Sequence, residues 1–177
     1  MMTSSTFTTQ QYTSSHFVES AGAILFSGRQ ICLIHYKVKD EWYLPKGRRN
    51  IDETRQAAAL REVKEETGHS CSLLPVDMET RAPPAIEVQQ SGDEVRKHKL
   101  VCEPFMVTLR HLDEQNLKLI WWYLASMDEE FARGEGESQF STELFDFDEA
   151  RNRLTFVEDR EVVDRAIKIF TDTYGGC

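Results

Sequence analysis

Between Gly47 and His69 the chain reads GRRNIDETRQAAALREVKEETGH, with four glutamates, an arginine and two glycines at spacings that could build a metal site. The residues from about Glu53 to Thr67 are good helix formers, Asp52 is placed to cap the start, and Gly68 can close the end in a left-handed conformation. The spacing therefore predicts one helix of about four turns. At ~100° per residue, Ala59, Leu60, Val63 and Thr67 form an inner stripe, while Glu62, Glu65 and Glu66 gather on a different face. Like charges three and four residues apart destabilise a bare helix, so this grouping calls for a cation. Hard oxygen donors suit Mg2+, and Mn2+ as an alternative. Ala58 is expected between the carboxylates, small enough to leave room for ions and a phosphate group. Such ions would withdraw charge from a bound phosphate, align it with a water and lower that water's pKa.

Spelled out, the pattern is Gly47, five residues, Glu53, seven residues, then Arg61-Glu62-Val63-Lys64-Glu65-Glu66-Thr67-Gly68. It resembles the signature of the Nudix hydrolases, which split a diphosphate linked to another moiety. His69 stands where that family usually has an aliphatic residue. The resemblance implies an α/β/α sandwich with a mixed central sheet. It further implies that Glu62, Glu65 and Glu66 bind the metal with the Gly47 carbonyl as an added ligand, and that Arg61 and Glu53 pair to orient loop and helix. Glu65 or Glu66 is the expected base or base-orienting ligand, and Glu137 and Glu143 are candidates for a further carboxylate from a later loop.

The elements around the box read as follows. Residues 1–16 are rich in Ser, Thr and Gln and are expected to form a flexible tail, with a single domain over 17–177. Ser20 to Phe26 and Gln30 to Tyr36 read as a hairpin, and Glu41 to Leu44 as a short strand entering Pro45-Lys46-Gly47. Ser72 to Val76 is expected to be extended, Arg81 to Lys97 to be a long loop, and Lys99 to Leu112 and Leu117 to Met127 to form a second hairpin across Asp113–Asn116. Phe131 to Ser141 reads as a loop, Leu144 to Phe147 as a strand, and Asp148 as the cap of a short helix reaching Leu154. A final amphipathic helix is expected over Val157 to Tyr174, with Val162, Ala166, Ile169 and Phe170 inside.

A net charge of −9 argues against a general nucleic-acid or membrane-surface binder, since backbone-phosphate affinity rests on accumulated Lys and Arg. No apolar run is long enough to span a membrane. The chain is expected to be cytoplasmic, and a secreted form that has lost a leader would read the same way. Cys32, Cys71, Cys102 and Cys177 show neither a zinc spacing nor a disulfide framework. Against that acidic background, Lys46, Arg48 and Arg49 surround the motif's first glycine, Lys37 lies upstream, and Lys97 and Lys99 belong to a later basic cluster. These six are the candidate substrate-binding residues for a small polyphosphorylated molecule. The Leu44-Pro45-Lys46-Gly47 lead-in resembles Nudix subgroups acting on diadenosine polyphosphates and diphosphoinositol polyphosphates. Clustered cations favour the inositol compound, whereas a nucleotide would want an aromatic clamp, for which Trp42, Trp121, Trp122 and Tyr123 are available. ADP-ribose or nucleotide-sugar cleavage, and a catalytically silent binding module, are the rival readings. The oligomeric state is left open.

Overall fold

A computed structural model of the chain describes residues 8–84, 93–128, 134 and 136–175. Ten strands and three helices follow in the order β1 (Phe17–Ser27), β2 (Gln30–Tyr36), β3 (Glu41–Tyr43), β4 (Lys46–Arg48), α1 (Arg55–Thr67), β5 (Cys71–Leu73), β6 (Val76–Thr80), β7 (Arg96–Val101), β8 (Met106–His111), β9 (Leu117–Met127), β10 (Phe140–Asp146), α2 (Phe147–Arg153) and α3 (Val157–Tyr174). Eight strands join in one sheet, ordered β10-β2-β1-β9-β5, with β3 beside β2, β4 beside β1 and β8 beside β9. The β1–β9 pair is parallel and the others are antiparallel, so the sheet is mixed. β6 and β7 form a separate two-stranded sheet.

Helices cover both faces. Ala21, Ala23 and Leu25 of β1 face Ala58, Ala59 and Val63 of α1, and the alternate residues Ile24 and Phe26 face a larger core with Leu154 of the α2–α3 connection and Val162, Val163, Ala166 and Ile169 of α3. A strand buried on both sides loses the polar alternation of an exposed one, which is why β1 is almost continuously apolar. The expected α/β/α sandwich is present.

Several local expectations need correction. α1 begins at Arg55, after an N-cap at Thr54, whose hydroxyl accepts from the Ala57 N–H at 3.1 Å. Asp52 instead takes a left-handed φ of 62° inside a turn in which the Glu53 N–H donates to the Asn50 carbonyl. Ala58 is fully buried against the sheet rather than open between the carboxylates. Its small side chain, with Ala21 and Ala23 opposite, lets the helix approach the strand closely. The Lys99 to Leu112 run is broken between β7 and β8, and α2 is capped by Asp146 rather than Asp148. The long loop and the Phe131–Ser141 loop fall partly outside the described residues. α3 has the expected limits, and Gly68 caps α1 with φ 74°. Within the tail, the Tyr12 side chain lines a shallow apolar depression with Phe17, Leu109, Leu117 and Leu119. No helix among the described residues is long and apolar enough to cross a membrane.

Candidate active site

Arg61 is the hub of the site. Its guanidinium donates to both oxygens of Glu53, Nε to Oε1 at 2.8 Å and Nη2 to Oε2 at 2.9 Å, the planar fork geometry that suits a carboxylate. Nη1 donates to Glu62 at 2.7 Å and Glu65 at 2.9 Å, and Nη2 also reaches the Arg48 carbonyl at 2.9 Å. One side chain thus ties the helix, the turn before it and strand β4 together. The Asn50 N–H donates to Glu53 Oε2 at 2.9 Å, which holds that carboxylate in the turn and explains why the helix starts two residues later than its sequence suggests.

Gly47 is required for another reason. A Cβ there would lie 1.9 Å from Glu62 Oε2, so only glycine allows β4 to close over that carboxylate. The backbone N–H of Lys46 donates to Glu66 Oε2 at 2.7 Å. The glycine-led strand and the helix therefore present Glu62, Glu65 and Glu66 beside the backbone of residues 46–48.

The electrostatics are those of a site short of positive charge. Burial pushes the Glu66 carboxyl up to about 7, opposed by Lys46 and reinforced by Glu62 and Glu137. Burial also raises Glu62, which Arg61 counteracts and Glu65 and Glu137 reinforce. Glu53 goes the other way, held at about 2 chiefly by the Arg61 hydrogen bonds. Among the described residues no three side chains already converge as a metal cage. The donor chemistry nevertheless fits a divalent cation: the oxygens are hard, they crowd one another, and the charged forms of Glu62 and Glu66 are penalised by burial. Glu137 enters this field from the loop before β10, with its N–H donating to the Glu65 carbonyl at 3.0 Å. Glu143 is exposed and pairs with Leu33, whose side chain faces the α2–α3 layer, away from α1.

The candidate substrate residues separate. Lys46 and Arg48 flank Gly47. Arg49 is engaged by Glu19 at 3.1 Å and by the Glu53 carbonyl at 2.9 Å. The Lys37 N–H meets the Gln139 carbonyl at 3.4 Å, close to Glu137. Lys97 and Lys99 are not brought to the box: both lie on β7, and Lys97 lines a cleft with Arg165 and Lys168 of α3. Of the proposed aromatic clamp, Trp122 and Tyr123 are buried in the two cores, Trp42 stacks on His35 at 4.5 Å, and Trp121 lies under the Arg55 guanidinium at 4.0 Å. A different aromatic set adjoins the carboxylates. A cleft of about 230 Å3 is lined by Ile34, Tyr36, Tyr43, Lys46, Glu66 and Phe140. Tyr36 and Phe140 meet edge-on at 5.7 Å between centroids, and the Lys46 ammonium is 5.8 Å from the Tyr43 ring centre. The β2–β3 register, with Ile34 opposite Tyr43 and Tyr36 opposite Glu41, puts the two tyrosines on one face, a signal that pairing the hairpin at the sequence level would have exposed.

Comparison with known proteins agrees with this architecture. A crystal structure of a NUDIX family hydrolase from Clostridium perfringens superposes with a TM-score of 0.60 at 19% identity, covering 89% of this chain and 99% of that one. A C. elegans Ap4A hydrolase superposes with a TM-score of 0.54 at 15% identity, covering 84% and 95%. In sequence, an 8-oxo-(d)GTP phosphatase of Mycolicibacterium smegmatis is 37% identical over 73 residues, which cover 34% of this chain and only 23% of that protein's length. The NUDIX domain family model matches residues 16–166. With the family match spanning most of the chain and the box residues assembled around Arg61, the protein belongs to the NUDIX family.

Proposed function

We propose that this chain is a divalent-metal-dependent hydrolase of a phosphoanhydride bond in a dinucleoside polyphosphate of the diadenosine type. Glu62, Glu65 and Glu66, with the Gly47 carbonyl, would hold Mg2+ or Mn2+. When bound, the cation neutralises phosphate charge and lowers the pKa of water. Arg61 keeps Glu62 and Glu65 oriented through hydrogen bonds of 2.7 and 2.9 Å. Lys46 presents its N–H to Glu66. In the hydrolysis, water oxygen bonds to phosphorus as the bridging P–O bond breaks, the leaving phosphate takes the electron pair, and a carboxylate of the cluster accepts the water's proton.

The observation that carries the nucleotide reading is the aromatic cleft of Tyr36, Tyr43 and Phe140 adjoining Glu66. Aromatic faces stack on any base, whereas an inositol ring offers nothing to stack. The sequence-level preference for a diphosphoinositol polyphosphate leaned on clustered cations, and Lys97 and Lys99 lie apart from that cleft. The two nucleotide-directed relatives point the same way by name. The test is a Mg2+-dependent turnover panel of diadenosine tetraphosphate, a diphosphoinositol polyphosphate and ADP-ribose, on wild type, Tyr36→Ala and Tyr43→Ala. The expected result is a dinucleotide preference and a loss of kcat/KM in the tyrosine variants of roughly tenfold each. A better inositol substrate with unaffected tyrosine variants overturns the nucleotide reading, and no turnover with any substrate overturns the hydrolase reading.

A further inference from the structure

Strands β4, β1, β9 and β8 lie side by side, and their registers put a set of cations on one face. Arg48 is opposite Ser20, Lys46 is opposite Gly22, Val18 lies beside Lys118, and Lys118 is opposite Arg110. Side chains paired across strands project to the same side of a sheet, so Lys46, Arg48, Lys118 and Arg110 share a face. Between the two pairs this face, the one that Ile24 and Phe26 turn to α3, is closed: Gly22 and Ser20 are buried, and the Trp122 ring and the Pro45 carbonyl fill the space beside Gly22. The Ser20 hydroxyl is wholly buried and has no hydrogen-bond partner among the described residues.

These four cations differ from their neighbours. Arg49 and Arg55 are ion-paired with Glu19, and Arg61 with Glu53, Glu62 and Glu65. Lys46, Arg48, Arg110 and Lys118 take part in none of the ion pairs of the described residues, in a chain with 30 acidic and 21 basic side chains. Lys118 is partly buried; burial lowers its pKa, and Lys46, Arg110 and Arg48 lower it further, while Glu62 opposes them. Lys118 is thus within electrostatic reach of the other three cations and of a carboxylate of the box. The acid that faces them from the helical layer is Asp159 of α3, itself buried and influenced by Lys46 and Arg110. Gathering like charges and partly burying two of them, Lys46 and Lys118, opposes folding, and a multiply charged anion would relieve it.

We propose that Lys118 and Arg110 complete, with Lys46 and Arg48, a cradle for the substrate phosphates beyond the anhydride being cleaved, and so select substrates carrying three or more phosphates. The inference rests on the hydrolase reading above, and its shared chemistry, extra phosphate groups, is offered by a dinucleoside polyphosphate and by a diphosphoinositol polyphosphate alike. Lys118→Gln and Arg110→Gln are the test variants, and Lys168→Gln, which removes a surface charge paired with Asp172, is the charge control. Two measurements are made. One is kcat/KM with Mg2+ on diadenosine tetraphosphate, the diphosphoinositol polyphosphate and ADP-ribose. The other is calorimetric binding of inorganic tripolyphosphate and pyrophosphate, which needs no turnover.

For Lys118→Gln and Arg110→Gln we expect roughly ten- to hundredfold losses on the best polyphosphate substrate, mostly in KM, against about twofold on ADP-ribose, and a matching loss for tripolyphosphate over pyrophosphate. Which substrate suffers identifies the source of the phosphates. Equal losses on ADP-ribose and the polyphosphates, unchanged tripolyphosphate affinity, or an equal effect of Lys168→Gln would each overturn the proposal. Absent turnover in wild type with intact, Lys118-dependent tripolyphosphate binding would remove the hydrolase reading and leave the cradle standing.

Discussion

At the scale of single residues, the site depends on how closely backbone and carboxylates approach. Gly47 is needed because Glu62 occupies the space of its missing Cβ. Gly47→Ala should therefore push Glu62 or β4 aside and cut kcat on the order of 100-fold, with a far smaller proportional change in stability, as paired turnover and thermal-melt measurements would reveal. Glu66→Gln keeps the shape of a side chain that accepts from Lys46 but removes its charge. Turnover should drop by at least ~100-fold while the fold is retained, and a purified variant of near wild-type activity would remove Glu66 from the metal set. Neither prediction depends on the substrate.

At the scale of elements, α1 is joined to the loop before it by a cap and by a charged fork. Thr54→Ala removes the cap and should cost about 1 kcal/mol in urea unfolding, whereas Asp52→Gly, at a left-handed position outside the helix, should stay within about 0.5 kcal/mol of wild type. An equal loss at both positions would contradict the cap assignment. The fork gives a pH signature. Arg61 holds Glu53 at about 2, below its ordinary value of 4.5, so the folded state prefers the ionised form. That contribution is present above pH 4.5 and is lost as pH falls from 4.5 toward 2. Tm should accordingly fall more steeply across this window in wild type than in Glu53→Gln, and parallel Tm curves would show that the pair does not stabilise the fold.

At the scale of the whole molecule, a chain of net −9 places buried, mutually repelling carboxylates at one end of a mixed sheet, and a cation bound only by the folded state should stabilise it. Mg2+ at ten times its dissociation constant should raise Tm by roughly 3–6 °C, and by less in Glu66→Gln, as differential scanning calorimetry can measure. Identical Tm values with and without Mg2+ in wild type would argue against metal binding. Much of this was legible in the linear chain. The helix carrying Glu62, Glu65 and Glu66, its Gly68 stop, the first hairpin and α3 are set by periodicity and turn chemistry among neighbouring residues. Those forces act locally, so the sequence by itself determined them, and with them the grouping of carboxylates in the box. What only the tertiary structure decided is what that box faces. Burial of Ala58 and the gathering of Tyr36, Tyr43 and Phe140 arise from contacts between distant segments. Lys97 and Lys99 were carried to β7, while Lys118 and Arg110 came into line with Lys46 and Arg48 because β9 pairs in parallel with β1 and antiparallel with β8. Strand register between segments about a hundred residues apart depends on their shared burial, which no local run of residues encodes.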